Sequence, residues 1–249
     1  MADAAPIATA ALDSLNAVVP AAIYLAVVRR VRRSGGAWPA QRTVLFLAGV
    51  TLAALATSSA ADAAARRSLT WHMTVQMALL LLVAPAVVAG HPLALLRRIA
   101  GRRIPRPPGP AVAWIGFVGI QWVVHVAAVM AFVLREPAAF AFMHWLLIVA
   151  GVAFFAQVGS ARLHPLALAL YIASAMPTTD AIALWLLLDP RVVYAHYAGS
   201  GGLADQQAAG AIMFGAGNLL LVAAAWIAGR YLWRGRPGTA AGYGRVVGG

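Results

Sequence analysis

Seven runs of apolar residues, each long enough to cross a bilayer, leave this 249-residue chain little choice of fold. They lie at about 12–28, 42–60, 69–89, 111–133, 138–159, 164–188 and 206–233. A spanning helix needs ~17–25 residues, more if it is tilted. In hydrocarbon every backbone N–H and C=O must find its partner within the segment, so such runs are expected to be helices. Only 10% of residues are charged, against ~25% in a soluble domain. The expected fold is an all-α integral membrane protein, one seven-transmembrane-helix bundle over residues 1–237 followed by a Gly-rich cytoplasmic tail, 238–249. The connections are rich in Pro, Gly and Arg, as in RRVRRSGGAWP and RRIAGRRIPRPPGP, and no internal repeat stands out.

The net charge of +12 comes from arginine, with no lysine. These arginines sit between apolar runs, so they read as topology determinants and lipid-headgroup contacts, not as a nucleic-acid surface. Alternating the connections between two faces places fifteen on one side: Arg29, Arg30, Arg32, Arg33, Arg42, Arg97, Arg98, Arg102, Arg103, Arg106, Arg162, Arg230, Arg234, Arg236 and Arg245. Arg66, Arg67, Arg135 and Arg191 fall on the other. The arginine-rich face is expected to be cytoplasmic, with the N-terminus outside and the C-terminus inside. Asp3 and Asp13 precede the first run and RRVRR follows it, the reverse of a cleaved signal peptide, so that run reads as a retained helix. Trp71, Trp145 and Trp185 would mark the outer interface, and Trp114, Trp226 and Trp233 the inner one.

The third run, LTWHMTVQMALLLLVAPAVVAGHP, carries polar and thioether side chains where a span ordinarily has hydrocarbon. At ~100° per residue His72, Met73, Gln76 and Met77 fall within one arc of about 140°. Thioethers with imidazoles on one face suit a soft metal ion such as Cu(I), and a polar group inside a membrane is a functional-site hypothesis. Other unusual side chains share this outer half: His125, Met130, Met143, His144, Asp205 and Met213, with Met176 and Asp180 nearer the middle. His125 and His144 read equally well as interhelical hydrogen-bond partners or as metal or proton groups. His91 and His164, each before a proline, read as helix-end residues. Asp205 beside Gln206 and Gln207 also suits a helix N-terminus. The expected metal ligands are His72, Met73, Met77, His125, His144 and Met213, supported by Gln76, Met130, Met143, Asp180 and Asp205.

No cysteine is present, so thiolate sites and disulfides are excluded. Nor is there a nucleophile elbow, a phosphate loop or a zinc motif, and the chain reads as a non-enzyme.

These residues resemble the CtaG-like family of seven-helix cytochrome c oxidase assembly proteins, first associated with caa(3)-type oxidases. The resemblance runs from about Leu69 to Trp226. HMTVQMALLLLVAPAVVAGHP is similar to the family's His-Met-x-x-His-Met helix with its Pro and Gly-x-Pro, and Gln76 stands where the second His would be. LADQQAAGAIMF is similar to its Asp-Gln-Gln helix start, and VVYAHY to its Tyr-x-x-Tyr outer segment. His125 and His144 match its fourth- and fifth-span histidines, although VVHVAAVM lacks the proline expected after His125. The resemblance implies a divergent member in a bacterial plasma membrane that matures the terminal oxidase, with copper as Cu(I) the ion supplied. The implied partners are oxidase subunits, membrane lipids and a copper donor protein, and no nucleic acid.

Two other functions fit the same residues. One is a non-catalytic scaffold or accessory subunit of a respiratory complex, its His/Met cluster serving packing. The other is a transporter or proton-handling protein using Asp180, which unchanged proteoliposome flux in Asp180→Asn would dismiss.

Overall fold

The computed structural model describes residues 4–101, 107–158, 160, 163–199 and 201–234, with side chains from Asn16 to Trp233. Asp3, Arg102, Arg103, Arg106, Arg162, Arg236, Arg245 and the tail 238–249 lie outside the described residues, as do the side chains of Asp13 and Arg234. Twelve α-helices carry the described chain: α1 (Ala4–Arg33), α2 (Ala40–Ala56), α3 (Ser59–Ala65), α4 (Leu69–Ala78), α5 (Ala84–Ala89), α6 (Pro92–Ala100), α7 (Pro110–His125), α8 (Ala127–Arg135), α9 (Pro137–Phe155), α10 (Pro165–Ala173), α11 (Met176–Leu188) and α12 (Gly202–Arg234). A π-helical turn, Leu79–Val83, joins α4 to α5, and a 3₁₀ turn, Ala195–Tyr197, lies between α11 and α12. Pro92, Pro110, Pro137 and Pro165 each open a helix, where the missing N–H costs nothing and the fixed φ is already helical.

Four stretches are long and apolar enough to cross a membrane alone: Leu69–Ala100, Pro137–Phe155, Pro165–Leu188 and Gly202–Trp233. Two further expected spans are broken rods. The run 42–60 divides into α2 and α3 with a 54° bend, and 111–133 into α7 and α8 with a 79° bend. Counting each bent pair as one span gives six among the described residues. The first run, 12–28, lies inside the 30-residue α1. The third continues past residue 89 into α6, and the fifth stops at Phe155, short of residue 159.

The breaks have local causes. At Thr57–Ser58 the hydroxyl of Thr57 turns back to Ala53 O at 2.9 Å, while Ser58 caps α3 by accepting from the Ala61 N–H. The π-turn ends two residues before Pro85, whose ring would clash with a carbonyl of a regular helix; widening the turn, with Ala84 N–H reaching back to Leu79 O, accommodates it. The α7–α8 bend occurs without a proline. Val126 takes an extended backbone (ψ 124°), and the His125 carbonyl freed there accepts the Tyr194 hydroxyl at 3.0 Å.

α12 is the central post and packs against α4, α10 and α11, while α9 packs against α5, the π-turn and α7. Close approach requires glycine at two of these contacts. A Cβ at Gly210 would lie 2.7 Å from Ala183 O on α11, and one at Gly151 would lie 2.7 Å from Ala84 Cβ. A separate cluster around Tyr24, Trp38, Phe46 and Leu95 fastens α1 to α2 and α6, with Tyr24 donating to Gly90 O at 2.7 Å. Leu55, Val112, Ile115, Leu170, Leu188 and Val222 are all more than 60% exposed, the outward apolar surface that a lipid solvent favours.

Candidate functional site: a buried histidine and thioether seam

The polar arc of α4 turns inward. His72, Met73, Gln76 and Met77 are all buried, the two polar ones at 1% and 0% exposure. His125, Met130, Met143, His144 and Met213 are buried as well. The structure distributes them in small groups and not in one cage. Among the described residues, no three His, Cys, Asp or Glu side chains gather in a way that could hold a metal ion.

The first group centres on His72. Tyr197 donates its hydroxyl to Ala65 O at 2.8 Å, so at 3.0 Å from His72 Nδ1 the same oxygen accepts. Burial, helped by the Asp205 carboxylate, raises the phenol above its ordinary pKa and keeps that donor proton in place. Nδ1 of His72 therefore carries its proton, and Nε2 accepts from Gln76 Nε2 at 2.8 Å. The second amide proton of Gln76 points at Met143 Sδ, 3.8 Å away, and Gln76 Oε1 has no hydrogen-bond partner. Phe140 packs edge-on against His72.

The second group joins α7 to α4. His125 Nδ1 donates to Gln121 O at 2.6 Å, one turn back in its own helix. This leaves Nε2 unprotonated in the neutral ring. Nε2 faces the Met73 thioether at 3.4 Å. Neither atom has a proton to offer the other, so two lone pairs meet in a buried space.

The third group is elsewhere. His144 Nδ1 faces Asp62 Oδ1 on α3 at 3.7 Å, and Phe140 packs against both His144 and His72. Met77 and Met213 line a narrow cleft of about 10 Å³ with Gln121, Thr179 and Gly217. Met130 is buried in α8. Asp180 packs close to Gly217, where an added Cβ would meet Met176 Cε at 3.1 Å and Asp180 Oδ1 at 3.5 Å.

Asp205 holds two helices together. Its carboxylate accepts from Ser68 Oγ at 2.8 Å and from the backbone N–H groups of Leu69 (2.6 Å) and Thr70 (3.2 Å), so it caps α4 from the start of α12. Its own carbonyl accepts from Thr70 Oγ1 at 2.9 Å. Gln206 next to it accepts from Val193 N–H at 2.7 Å and donates to Arg191 O at 3.0 Å, pinning the α11–α12 loop. That loop delivers Tyr194 to the His125 carbonyl and Tyr197 to His72.

Sequence reasoning passed over Tyr197, Tyr194, Asp62 and Phe140 as parts of these groups. Only the Tyr-x-x-Tyr spacing signalled two of them, and nothing local ties them to α4 or α7.

Helical among the described residues, with four to six stretches long and apolar enough to cross a membrane and a buried seam of imidazole, amide and thioether groups, the chain has the build of a polytopic membrane protein with an internal polar site. The profile of the cytochrome c oxidase caa3 assembly factor family matches residues 22–234, and the chain belongs to that family. The match takes in α4, α7, α9 and the α11–α12 loop, and so every group described above. No curated protein matches the chain, and no solved structure does.

Proposed function

We propose that this protein serves cytochrome c oxidase assembly without being an enzyme, by holding Cu(I) at the His125–Met73 pair before passing it to an oxidase subunit. The observation that carries this reading is the 3.4 Å approach of two lone-pair donors that have no hydrogen between them. One ion ~2.0–2.3 Å from each atom reaches both. Soft thioether favours Cu(I) among biological metals, and imidazole accepts it. A neutral pair with few donors suits an ion that must leave again. Met77, Met143 and Met213 are further thioethers for a migrating ion. The Nε2 of His72 joins them only if Gln76 swings away. Seven spans place the N-terminus outside, the pair lies in the outer half of a bacterial plasma membrane, and a copper donor protein loads it.

Cu(I) titration of detergent-purified protein, against a chromogenic Cu(I) chelator under reducing conditions, tests the proposal. One equivalent is expected to bind. His125→Ala and Met73→Leu should each weaken it at least about tenfold, a loss of ~1.4 kcal/mol. Unchanged affinity in both variants would overturn the site.

The His72 relay favours a second reading, a scaffold for a respiratory complex. Its ring nitrogens are both satisfied, and the chain Gln76–His72–Tyr197–Ala65 ties α4 to α3 and the α11–α12 loop. Copurification of oxidase from native membranes, undiminished by copper chelation or by His125→Ala, would favour that role.

A further inference from the structure

His144 and Asp62 stand apart from the thioether seam and line a cavity of about 70 Å³ together with Asn16, Thr57 and Trp145. Four helices, α1, α2, α3 and α9, contribute to its wall, or in the case of Thr57 the turn between α2 and α3. The imidazole is buried, 3% exposed in its side chain, and its Nδ1 makes no hydrogen bond. Nδ1 and Asp62 Oδ1 are 3.7 Å apart. That is too long for a direct N–H···O bond, which closes to ~2.7–3.2 Å. It is also awkward for a single bridging water, which at ~2.8 Å from both atoms would be pinched to about 80°. An ion ~2.1 Å from each, the ordinary length for imidazole nitrogen and carboxylate oxygen, opens an angle of about 120°.

We propose that His144 and Asp62 form a second metal site, specific for a divalent borderline cation of the zinc class and separate from the seam that takes Cu(I). The donor set decides the class. A nitrogen and a charged oxygen suit a divalent ion, while thioether is absent from the cavity wall. Asn16 also lines the wall, and the Thr57 hydroxyl, which donates its proton to Ala53 O, keeps oxygen lone pairs. The remaining volume admits about two waters at ~30 Å³ each to complete four-coordination. The carboxylate offsets half of the ion's charge, as a site within a membrane protein requires. The site also joins α3 to α9, so the bound ion fastens the short helix that carries Asp62 to the bundle.

Cobalt(II) titration of the full chain in detergent tests this, because four-coordinate Co²⁺ absorbs strongly in the visible region and Trp145 at the cavity wall reports by fluorescence quenching. One Co²⁺ per chain with an intense visible band is expected, and Zn²⁺ should displace it. His144→Ala and the isosteric Asp62→Asn should each weaken binding at least tenfold, while His125→Ala should leave it unchanged. Absence of binding at millimolar Co²⁺, or a band that survives Asp62→Asn in protein that still elutes as a single species, would overturn the proposal. A band lost only in His125→Ala would assign the ion to the seam and overturn it equally.

Discussion

Tyr197 shows how a single residue sets the chemistry of another. Its hydroxyl is committed to the Ala65 carbonyl, and that commitment places the proton of His72 on Nδ1. Tyr197→Phe removes both hydrogen bonds and strands the Ala65 carbonyl and the His72 Nδ1–H. The expected cost is ~1–3 kcal/mol, read as a lower midpoint of thermal unfolding in detergent. His125 is fixed more locally, by the carbonyl of Gln121 four residues back. The unusual character of His72, Met73, Gln76 and Met77 was legible in the sequence because their spacing alone puts them on one face. Their partners were not, since His72 meets a residue 125 positions away. Gln76 illustrates the difference. By composition it is a poor copper ligand in place of a histidine. In the fold it is the group that occupies the lone pair of His72.

Among the elements, the apolar runs located the helices but not their bends. Helix periodicity carries no mark of the 79° turn at Val126, which has no proline and relies on Tyr194 from a distant loop to take up the exposed carbonyl. The π-turn before Pro85 is more readable, because a proline inside a helix must be accommodated somehow. Asp205 was legible as a helix-start residue, although the helix whose N–H groups it takes is α4 and not its own. Asp205→Ala should free the first turn of α4 and loosen its tie to α12, which keeps the Thr70 bond to the residue 205 carbonyl, at a cost of ~0.5–2 kcal/mol. Faster hydrogen exchange at Leu69 and Thr70 is the expected signature; unchanged exchange there would deny the cap its role. The α11–α12 contact rests on Gly210, and Gly210→Val should destabilise the bundle by ~1–3 kcal/mol through overpacking. The melting temperature reports it, with exposed Gly229→Val as the neutral comparison, since an added Cβ there meets nothing within 4 Å.

At the scale of the described molecule, several His, Gln and Met side chains lie in the interior and many large apolar side chains face outward. Its orientation follows in this account from the arginine asymmetry, and the absence of cysteine makes it easy to test. Single cysteines introduced at Ser34 and at Gly199 should be labelled by an impermeant maleimide from opposite sides, Ser34→Cys from the cytoplasm and Gly199→Cys from outside. Labelling of both from the same side would contradict seven spans. The helical character and the apolar, membrane-length stretches were legible because hydrocarbon allows so few backbone solutions. The division of the His/Met residues into a seam, a relay and a separate His144–Asp62 cavity depends on packing between helices far apart in sequence.

Copper K-edge X-ray absorption of the Cu(I)-loaded protein reads the atoms bound to the ion. A low-coordinate Cu(I) is expected, with a sulfur neighbour near ~2.3 Å and a nitrogen near ~2.0 Å, the sulfur being lost in Met73→Leu. A first shell made only of nitrogen and oxygen, or one unaltered by that substitution, would contradict it.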